Sequence, residues 1–186
     1  MENFCLSKNE KLLLKSLLGK RIIKIRHDSF DKFEREAVYG RIELFFEDCI
    51  LLINYDYAPY YIFGAEDDRP KFSVRFIDEV EAVSALQDTI QIDVGVSQTL
   101  HEITLVEDYS DVDWCGKKDS LLNLKAIILK LDDKEIVIQG DYMIPLLEIF
   151  QGDNVLKQLD KPGEEFDGDK ETKFETKRHL IHLSTL

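Results

Sequence analysis

Two segments of this chain carry the same β-hairpin pattern, 85 residues apart. Residues 42–57 and 127–142 align without a gap, and six of the sixteen positions are identical, including Asp48 with Asp133. In each copy, apolar residues alternate along two strands on either side of an acidic turn. A hairpin cannot bury its apolar face alone, so the repeat predicts two related units stacked face to face. The alternative is a chance likeness between two amphipathic hairpins.

The strand pattern extends beyond the two hairpins. Each hairpin follows a shorter apolar strand, and alternation predicts further strands at 72–83 and 88–96. The first hairpin is apolar on both faces, which is typical of strands covered on both sides. We therefore expect an α+β protein, mostly β, whose antiparallel sheets are built on one hairpin unit at about 20–63 and a second at about 100–150.

Two helices are expected beside the strands. Ser7 and Glu10 have the spacing of a capping box and precede a leucine stripe that ends at Gly19, which predicts an N-terminal helix. Pro145 is suited to a first helical turn, and it predicts a short helix near 142–150.

The C-terminal part of the chain changes character. Residues 160–177 lose apolar periodicity and are predicted to form an acidic polar connector. Residues 179–183 regain alternation and predict a terminal edge strand. The length of 186 residues suits one domain, so residues 1–186 are expected to fold as a single unit.

The charge balance limits the partners that this chain can bind. The sequence holds 24 Lys and Arg against 37 Asp and Glu, a net charge of −13. Such a surface disfavours direct binding to duplex nucleic acid or to an anionic membrane, and it favours a basic protein partner. The alternative is that the charge serves solubility alone. The three cysteines form no CxxC pair, and the N-terminus lacks a secretory pattern, so a reducing, cytoplasmic location is predicted.

Motifs that carry chemistry are scarce. The sequence contains no phosphate-binding glycine loop, no nucleophile elbow and no HExxH. His179 and His182 lie on a predicted strand, where their rings point to opposite faces. Asp132 and Asp133 resemble part of a nuclease motif, but they fit a hairpin turn better. We therefore predict no catalytic residue, no metal site and no cofactor, although an enzyme with scattered catalytic residues leaves no motif.

One segment, within a loop predicted at 107–120, has the composition of a binding site. Residues 107–114 hold four carboxylates, one tyrosine and the only tryptophan of the chain. Exposed aromatic side chains among acidic groups are suited to anchoring and steering a basic partner. The alternative is that the aromatic rings pack inward while the aspartates solvate a loop. The predicted partner-binding residues are Asp108, Tyr109, Asp111, Asp113 and Trp114, with Asp28 and Asp31 from the counterpart segment of the first unit.

The overall character of the sequence is similar to that of bacterial immunity proteins and other proteinaceous inhibitors, without a diagnostic motif. The sequence therefore predicts a non-catalytic, inhibitor-type protein that neutralises a basic protein partner. One alternative is an enzyme or small-ligand protein with a pocket between the hairpin units. Another is a structural subunit of a complex, which would expose an apolar strand edge. The expected lining of the pocket is Tyr57, Tyr60, Tyr61 and Phe63.

Overall fold

The computed structural model describes residues 2–29, 36–79, 81, 90–142, 144–163 and 172–184. Strands dominate this part of the chain, as predicted, and one α-helix lies near the N-terminus. In chain order the elements are β1 (Glu2–Phe4), α1 (Lys8–Lys15), β2 (Arg21–Ser29), β3 (Glu36–Phe46), β4 (Ile50–Ile62), β5 (Ala65–Ile77), β6 (Ile90–Thr99), β7 (Glu102–Trp114), β8 (Lys117–Lys130), β9 (Glu135–Gly140), β10 (Leu146–Gly152), a 3-10 turn (Val155–Lys157) and β11 (Thr172–Leu183).

The strands form two antiparallel sheets with the same topology. The first unit has the order β6-β2-β3-β4-β5, and the second has the order β11-β7-β8-β9-β10. In each unit four strands follow one another as a meander, and the fifth returns to pair with the first. The predicted relation between the units therefore extends beyond the two hairpins to all five strands.

The two predicted hairpins share one register. Ile42 pairs with Ile53 in the first unit, and Ile127 pairs with Ile138 in the second, which is the same pair 85 residues later. Both hairpins close with one turn hydrogen bond of the same type: Phe46 N–H donates to the Cys49 carbonyl, and Leu131 N–H donates to that of Lys134. The predicted turns at Asp48 and Asp133 are confirmed.

Equivalent faces of the two sheets pack into one core. Leu44 and its equivalent Leu129 are at most 1% exposed, and both belong to the same cluster of buried apolar side chains. Each fully buried leucine contributes roughly 1.5–3 kcal/mol relative to an exposed one. The opposite faces are also covered, by a small cluster on the first unit and by a larger one under the 3-10 turn on the second. Other equivalent pairs in the shared core are Ile42 with Ile127, Phe46 with Leu131, Leu51 with Ile136 and Ile53 with Ile138.

Helix α1 forms as predicted and protects a sheet edge. The Ser7 hydroxyl accepts a hydrogen bond from Glu10 N–H, and Glu10 accepts one from Ser7 N–H, which completes the capping box. The second Glu10 carboxylate oxygen accepts a hydrogen bond from Val74 N–H of β5, at 3.0 Å. None of the described helices is long and apolar enough to cross a membrane.

Two further pairings link strands that are far apart in the chain, and one of them joins the two units. β10 pairs with the first residues of β3, and β1 pairs in parallel with Leu121–Asn123 of β8. The junction on β3 is tight at Gly40, which has a φ of +53°. A Cβ atom at Gly40 would lie 2.7 Å from the Tyr55 carbonyl oxygen, so this close approach requires glycine.

Three local predictions are wrong. The segment predicted as a helix near 142–150 contains strand β10, because pairing with β9 on one side and β3 on the other satisfies its backbone. The segment 107–114 is not a loop but part of strand β7. The connector predicted at 160–177 is shorter, because Thr172–Leu183 forms β11, the expected edge strand; residues 164–171 lie outside the described residues.

Candidate functional site

The tips of two long hairpins meet at one end of the fold. The β4–β5 hairpin of the first unit turns at Phe63, and the β7–β8 hairpin of the second turns at Cys115. Phe63 N–H donates a 2.9 Å hydrogen bond to the Asp119 carboxylate, and the Phe63 ring lies 5.8 Å from the Trp114 ring. Both contacts connect one unit to the other, and they bring part of the predicted partner-binding segment beside the first unit.

An open groove of about 630 Å³ lies beside these tips, on the β7, β8 and β11 strands. Asp111 and Asp113 line it from β7, Asp119 from β8 and Glu175 from β11. Lys118 and Lys173 also line the groove, and Phe174 adds a partly exposed ring. The groove therefore combines carboxylates, two lysines and an aromatic side chain on a surface open to solvent.

Three of the groove carboxylates are bound only by neutral donors. Asp111 accepts hydrogen bonds from the Tyr109 and Ser120 hydroxyls, at 2.5 and 2.7 Å, and these bonds lower its pKa. Asp113 accepts a hydrogen bond from Gly116 N–H, and Asp119 accepts from the Phe63 backbone. Among the described residues none of these three aspartates forms an ion pair. The charge of Lys177 also lowers the pKa of Asp111, and Asp113 pairs across the sheet with Lys118 and Lys173, so these negative charges are partly offset. Glu175 differs, because Lys177 lies 2.9 Å from it.

One residue at each tip is held in a strained turn conformation. Phe63 has a φ of +55° and Cys115 a φ of +51°, each followed by a glycine. A bulky residue in this left-handed region costs free energy that asparagine or glycine would largely avoid. Strain of this kind is concentrated at functional sites. Phe63 occupies its turn position at that cost, and its ring contacts Trp114, which is 41% exposed.

Two of the predicted partner-binding residues are buried. Asp108 is 2% exposed and accepts two hydrogen bonds from the Arg178 guanidinium, at 2.6 and 2.7 Å, and one from the Tyr142 hydroxyl. Asp28 is 4% exposed. Neither carboxylate is available to a partner, so their assignment to the binding surface is wrong, while Asp31 lies outside the described residues.

The tyrosines predicted to line a pocket between the units differ widely in exposure. Tyr60 is buried against Phe4, whereas Tyr57 and Tyr61 are exposed, so these side chains do not converge on one cavity. The space between the sheets near Tyr55 measures only about 10 Å³, which is about the size of one water-sized probe. A small organic ligand does not fit there.

Sequence reasoning missed a buried polar network between β8, β9 and the segment after β10. The Lys125 ammonium is 1% exposed and donates to the Asp160 carboxylate and the Gly140 carbonyl, at 2.7 and 2.8 Å. It also lies 4.0 Å from the centre of the Tyr142 ring. Gln139 donates to the same Asp160 oxygen. The network binds the segment after β10 to the sheet, and its only signal in the sequence is a lysine inside an apolar strand.

Two of the histidines each lie beside one carboxylate. His182 lies 2.7 Å from Glu102, and His101 lies 2.6 Å from Asp132 at the far end of β8. Within the described residues no group of three or more His, Cys, Asp or Glu side chains is arranged to hold a metal ion. The three cysteines are free thiols, and burial is the main reason why the pKa of Cys5 is raised.

Comparison of the chain with protein-family models, with curated proteins and with solved structures finds no match.

Proposed function

We propose that this protein binds another protein without catalysis, and that it acts as an inhibitor- or immunity-type protein against a basic partner. The observation that carries the proposal is the joint tip of two hairpins, where Phe63 and exposed Trp114 lie beside three aspartates that form no ion pair with the described residues. Aromatic anchors surrounded by polar groups are the usual energetic centre of a protein interface.

The electrostatics of the groove favour a basic occupant. Elsewhere the acidic side chains are often paired, as Asp93 is with Arg26 and Asp48 with Lys20. At the groove, Asp111, Asp113 and Asp119 form no ion pair within the described residues, and Lys118 and Lys173 offset the acidic charge only in part. A net charge of −13 adds long-range attraction for a cationic surface. The same charge disfavours duplex nucleic acid and anionic membranes as partners.

The shape of the groove supports a macromolecular partner over a small substrate. Its volume of about 630 Å³ is open to solvent, whereas a small-ligand site normally encloses most of its ligand. The free thiols are compatible with the proposed cytoplasmic location, because exposed Cys115 would be prone to oxidation elsewhere.

The proposal is tested by isolating the partner from the native cell and measuring binding kinetics with purified proteins. The triple substitution Asp111→Asn, Asp113→Asn and Asp119→Asn is expected to slow association about tenfold at low salt, since steering depends on these charges. Trp114→Ala is expected to speed dissociation about tenfold, because an anchor contributes through packing.

A matched control removes the same number of charges away from the groove. Glu47, Asp133 and Asp153 are exposed acids in turns outside the groove, and their replacement by amides should leave both rates nearly unchanged. Equal effects of the two triple variants would show that only the net charge matters. Binding that is unaffected by both the groove variant and Trp114→Ala would reject this surface.

A further inference from the structure

The β4–β5 hairpin extends beyond the first sheet as a two-stranded arm, residues 56–71. β4 pairs with β3 only as far as Asn54, whereas it pairs with β5 along its whole length. One face of the arm packs against β1 and β8: the Tyr60 ring lies 5.6 Å from the Phe4 ring, and both join a small apolar cluster with Leu121. This packing holds the arm in place while side chains of its other face are exposed.

The strand register separates the charges of the arm between its two faces. Residues directly opposite one another in an antiparallel pair carry their side chains on the same face. Both basic residues of the arm, Arg69 and Lys71, therefore lie on the packed face, opposite Ala58 and Asp56. The other face, which we call the open face, holds no basic residue. Its exposed side chains are those of Tyr57, Pro59, Tyr61, Glu66 and Asp68.

The packed face shows how this strand pair accommodates a guanidinium. Tyr60 lies opposite Asp67, and its hydroxyl donates a 3.4 Å hydrogen bond to that carboxylate. Arg69, two residues further along β5, has its guanidinium carbon 5.1 Å from the centre of the Tyr60 ring. A guanidinium is attracted to the face of an aromatic ring, and its planar set of N–H donors suits carboxylates. On this face the chain supplies the ring, the carboxylate and the cation itself.

The open face repeats the ring and the carboxylate without the cation. Tyr61 lies opposite Glu66, as Tyr60 lies opposite Asp67, and the next residue of β5 on that face is Asp68 instead of an arginine. The Tyr61 side chain is 57% exposed. Neither Glu66 nor Asp68 forms an ion pair with the residues that the structure describes. An arginine from outside would find an exposed ring beside two carboxylates.

We propose that the open face of the arm binds an arginine side chain of the basic partner, with the guanidinium stacked on Tyr61 and paired with Glu66 and Asp68. This inference rests on the proposed function and adds a second contact surface. Tyr61 lies two residues before Phe63, so a partner anchored at the joint tip is close to the open face. Arginine is favoured over lysine, because a planar guanidinium can stack on a ring while it donates to carboxylates.

The test uses the full-length protein, with acetyl-Gly-Arg-Gly-amide and its lysine analogue as probes. We expect the arginine peptide to shift the backbone amide NMR signals of residues 66–68 with a dissociation constant of about 10 mM. The lysine peptide should bind about threefold more weakly, because it lacks the stacking plane. Tyr61→Leu should weaken the arginine peptide about threefold and abolish its advantage over the lysine peptide.

Two double variants separate the open face from the general charge of the arm. Glu66→Gln with Asp68→Asn should weaken binding of the arginine peptide about fivefold, since both partners of the guanidinium lose their charge. Asp56→Asn with Asp67→Asn removes the same number of charges from the packed face of the same arm, and it should leave binding nearly unchanged. Equal weakening by the two double variants would overturn the inference, because charge alone would explain binding.

The inference is also overturned if the amide signals do not move, if the lysine peptide binds as tightly as the arginine peptide, or if Tyr61→Leu binds like the wild type. Dissociation of the isolated partner distinguishes it from the proposed function. Tyr61→Leu should speed this dissociation about threefold. If Trp114→Ala speeds dissociation and Tyr61→Leu does not, the inference falls and the proposed function stands. The variants at the joint tip and the groove alone decide the proposed function.

Discussion

The two units share strand order and hairpin register, yet they differ in the charges on equivalent strands. In the first unit Asp93 of β6 accepts hydrogen bonds from Lys24 and Arg26 of β2. At the corresponding place in the second unit, His182 of β11 contacts Glu102 of β7. In the first unit the acid lies on the outer strand and the bases on the first strand. In the second unit the acid lies on the first strand and the histidine on the outer strand. Strand pairing and core packing are therefore repeated between the units, whereas the surface charges are not.

The units also differ in which hairpin is extended. In the first unit the third strand, β4, has thirteen residues, whereas its equivalent β9 has six. In the second unit β7 and β8, the first and second strands, have thirteen and fourteen residues. These different extensions meet at the tips where Phe63 contacts Trp114. The candidate site therefore lies where the two units differ in strand length, and it has no equivalent produced by the repeat.

Substitutions in the core that the two units share are expected to have the largest effect on stability. Leu44→Ala and Leu129→Ala remove equivalent side chains that are at most 1% exposed, and each should cost about 3–4 kcal/mol of unfolding free energy. If residues 1–186 fold as one domain, Leu44→Ala in the first unit will also lower the stability that is measured by the fluorescence of Trp114 in the second unit. The measurement is urea unfolding followed by fluorescence and circular dichroism. Two separate transitions would show that the units fold independently.

Asp108 and Asp111 test the difference between a buried and an exposed carboxylate on one strand. Asp108→Asn leaves the Arg178 guanidinium without its counter-charge, and we expect a loss of about 3 kcal/mol in urea unfolding. Asp111→Asn removes an exposed charge, and the amide oxygen can still accept from the Tyr109 and Ser120 hydroxyls, so its effect on stability should stay within about 0.5 kcal/mol. Equal effects would contradict the assignment of Asp108 to the fold and Asp111 to the binding surface.

The smallest effect on stability is expected from the two charge clusters, which are Asp93 with its bases and Glu102 with His182. This effect depends on pH. Hydrogen bonds from Arg26 are the main cause that lowers the pKa of Asp93 to about 2, and the hydrogen bond from His182 lowers the pKa of Glu102. A carboxyl with a lowered pKa stabilises the fold above its unfolded pKa, and this contribution disappears as the pH falls through the folded value. Both groups are partly exposed, so Asp93→Asn and Glu102→Gln should each cost less than about 1 kcal/mol at pH 7.

Urea unfolding of both variants between pH 7 and pH 3 measures this dependence. The difference between the wild type and each variant should shrink below about pH 4, where unfolded carboxyls become protonated. For Asp93→Asn part of the difference should remain at pH 3, because the folded carboxylate keeps its charge down to about pH 2. A difference that grows as the pH falls would mean that neither cluster stabilises the folded state.

The sequence predicted those parts of the fold that depend on local pattern. Alternation around Asp48 and Asp133 was sufficient to locate both hairpins, and the Ser7 capping box located α1. Leu146–Gly152 was assigned wrongly because its state is decided by strands distant in the chain, on both of its sides. Local propensity around Pro145 carries no information about those partners.

Composition predicted only half of the candidate site. The density of acidic and aromatic residues identified Asp111, Asp113 and Trp114, which lie at the tip and groove. The same density included Asp108, whose burial depends on Arg178, seventy residues later in the chain. Asp119 and Phe63 were not assigned to the partner surface, since their contact joins two hairpins that are far apart in sequence.

The pairing of β10 with β3 has a consequence for the order in which the chain folds. During synthesis β3 leaves the ribosome more than a hundred residues before β10, and until then the first residues of β3 lack this neighbour. The parallel pairing of β1 with β8 likewise waits for the second unit. Contacts over such sequence distances slow folding, which places this protein among the slow, millisecond-to-second folders. A nascent first unit with an open strand and an uncovered apolar face is the species at which aggregation would begin.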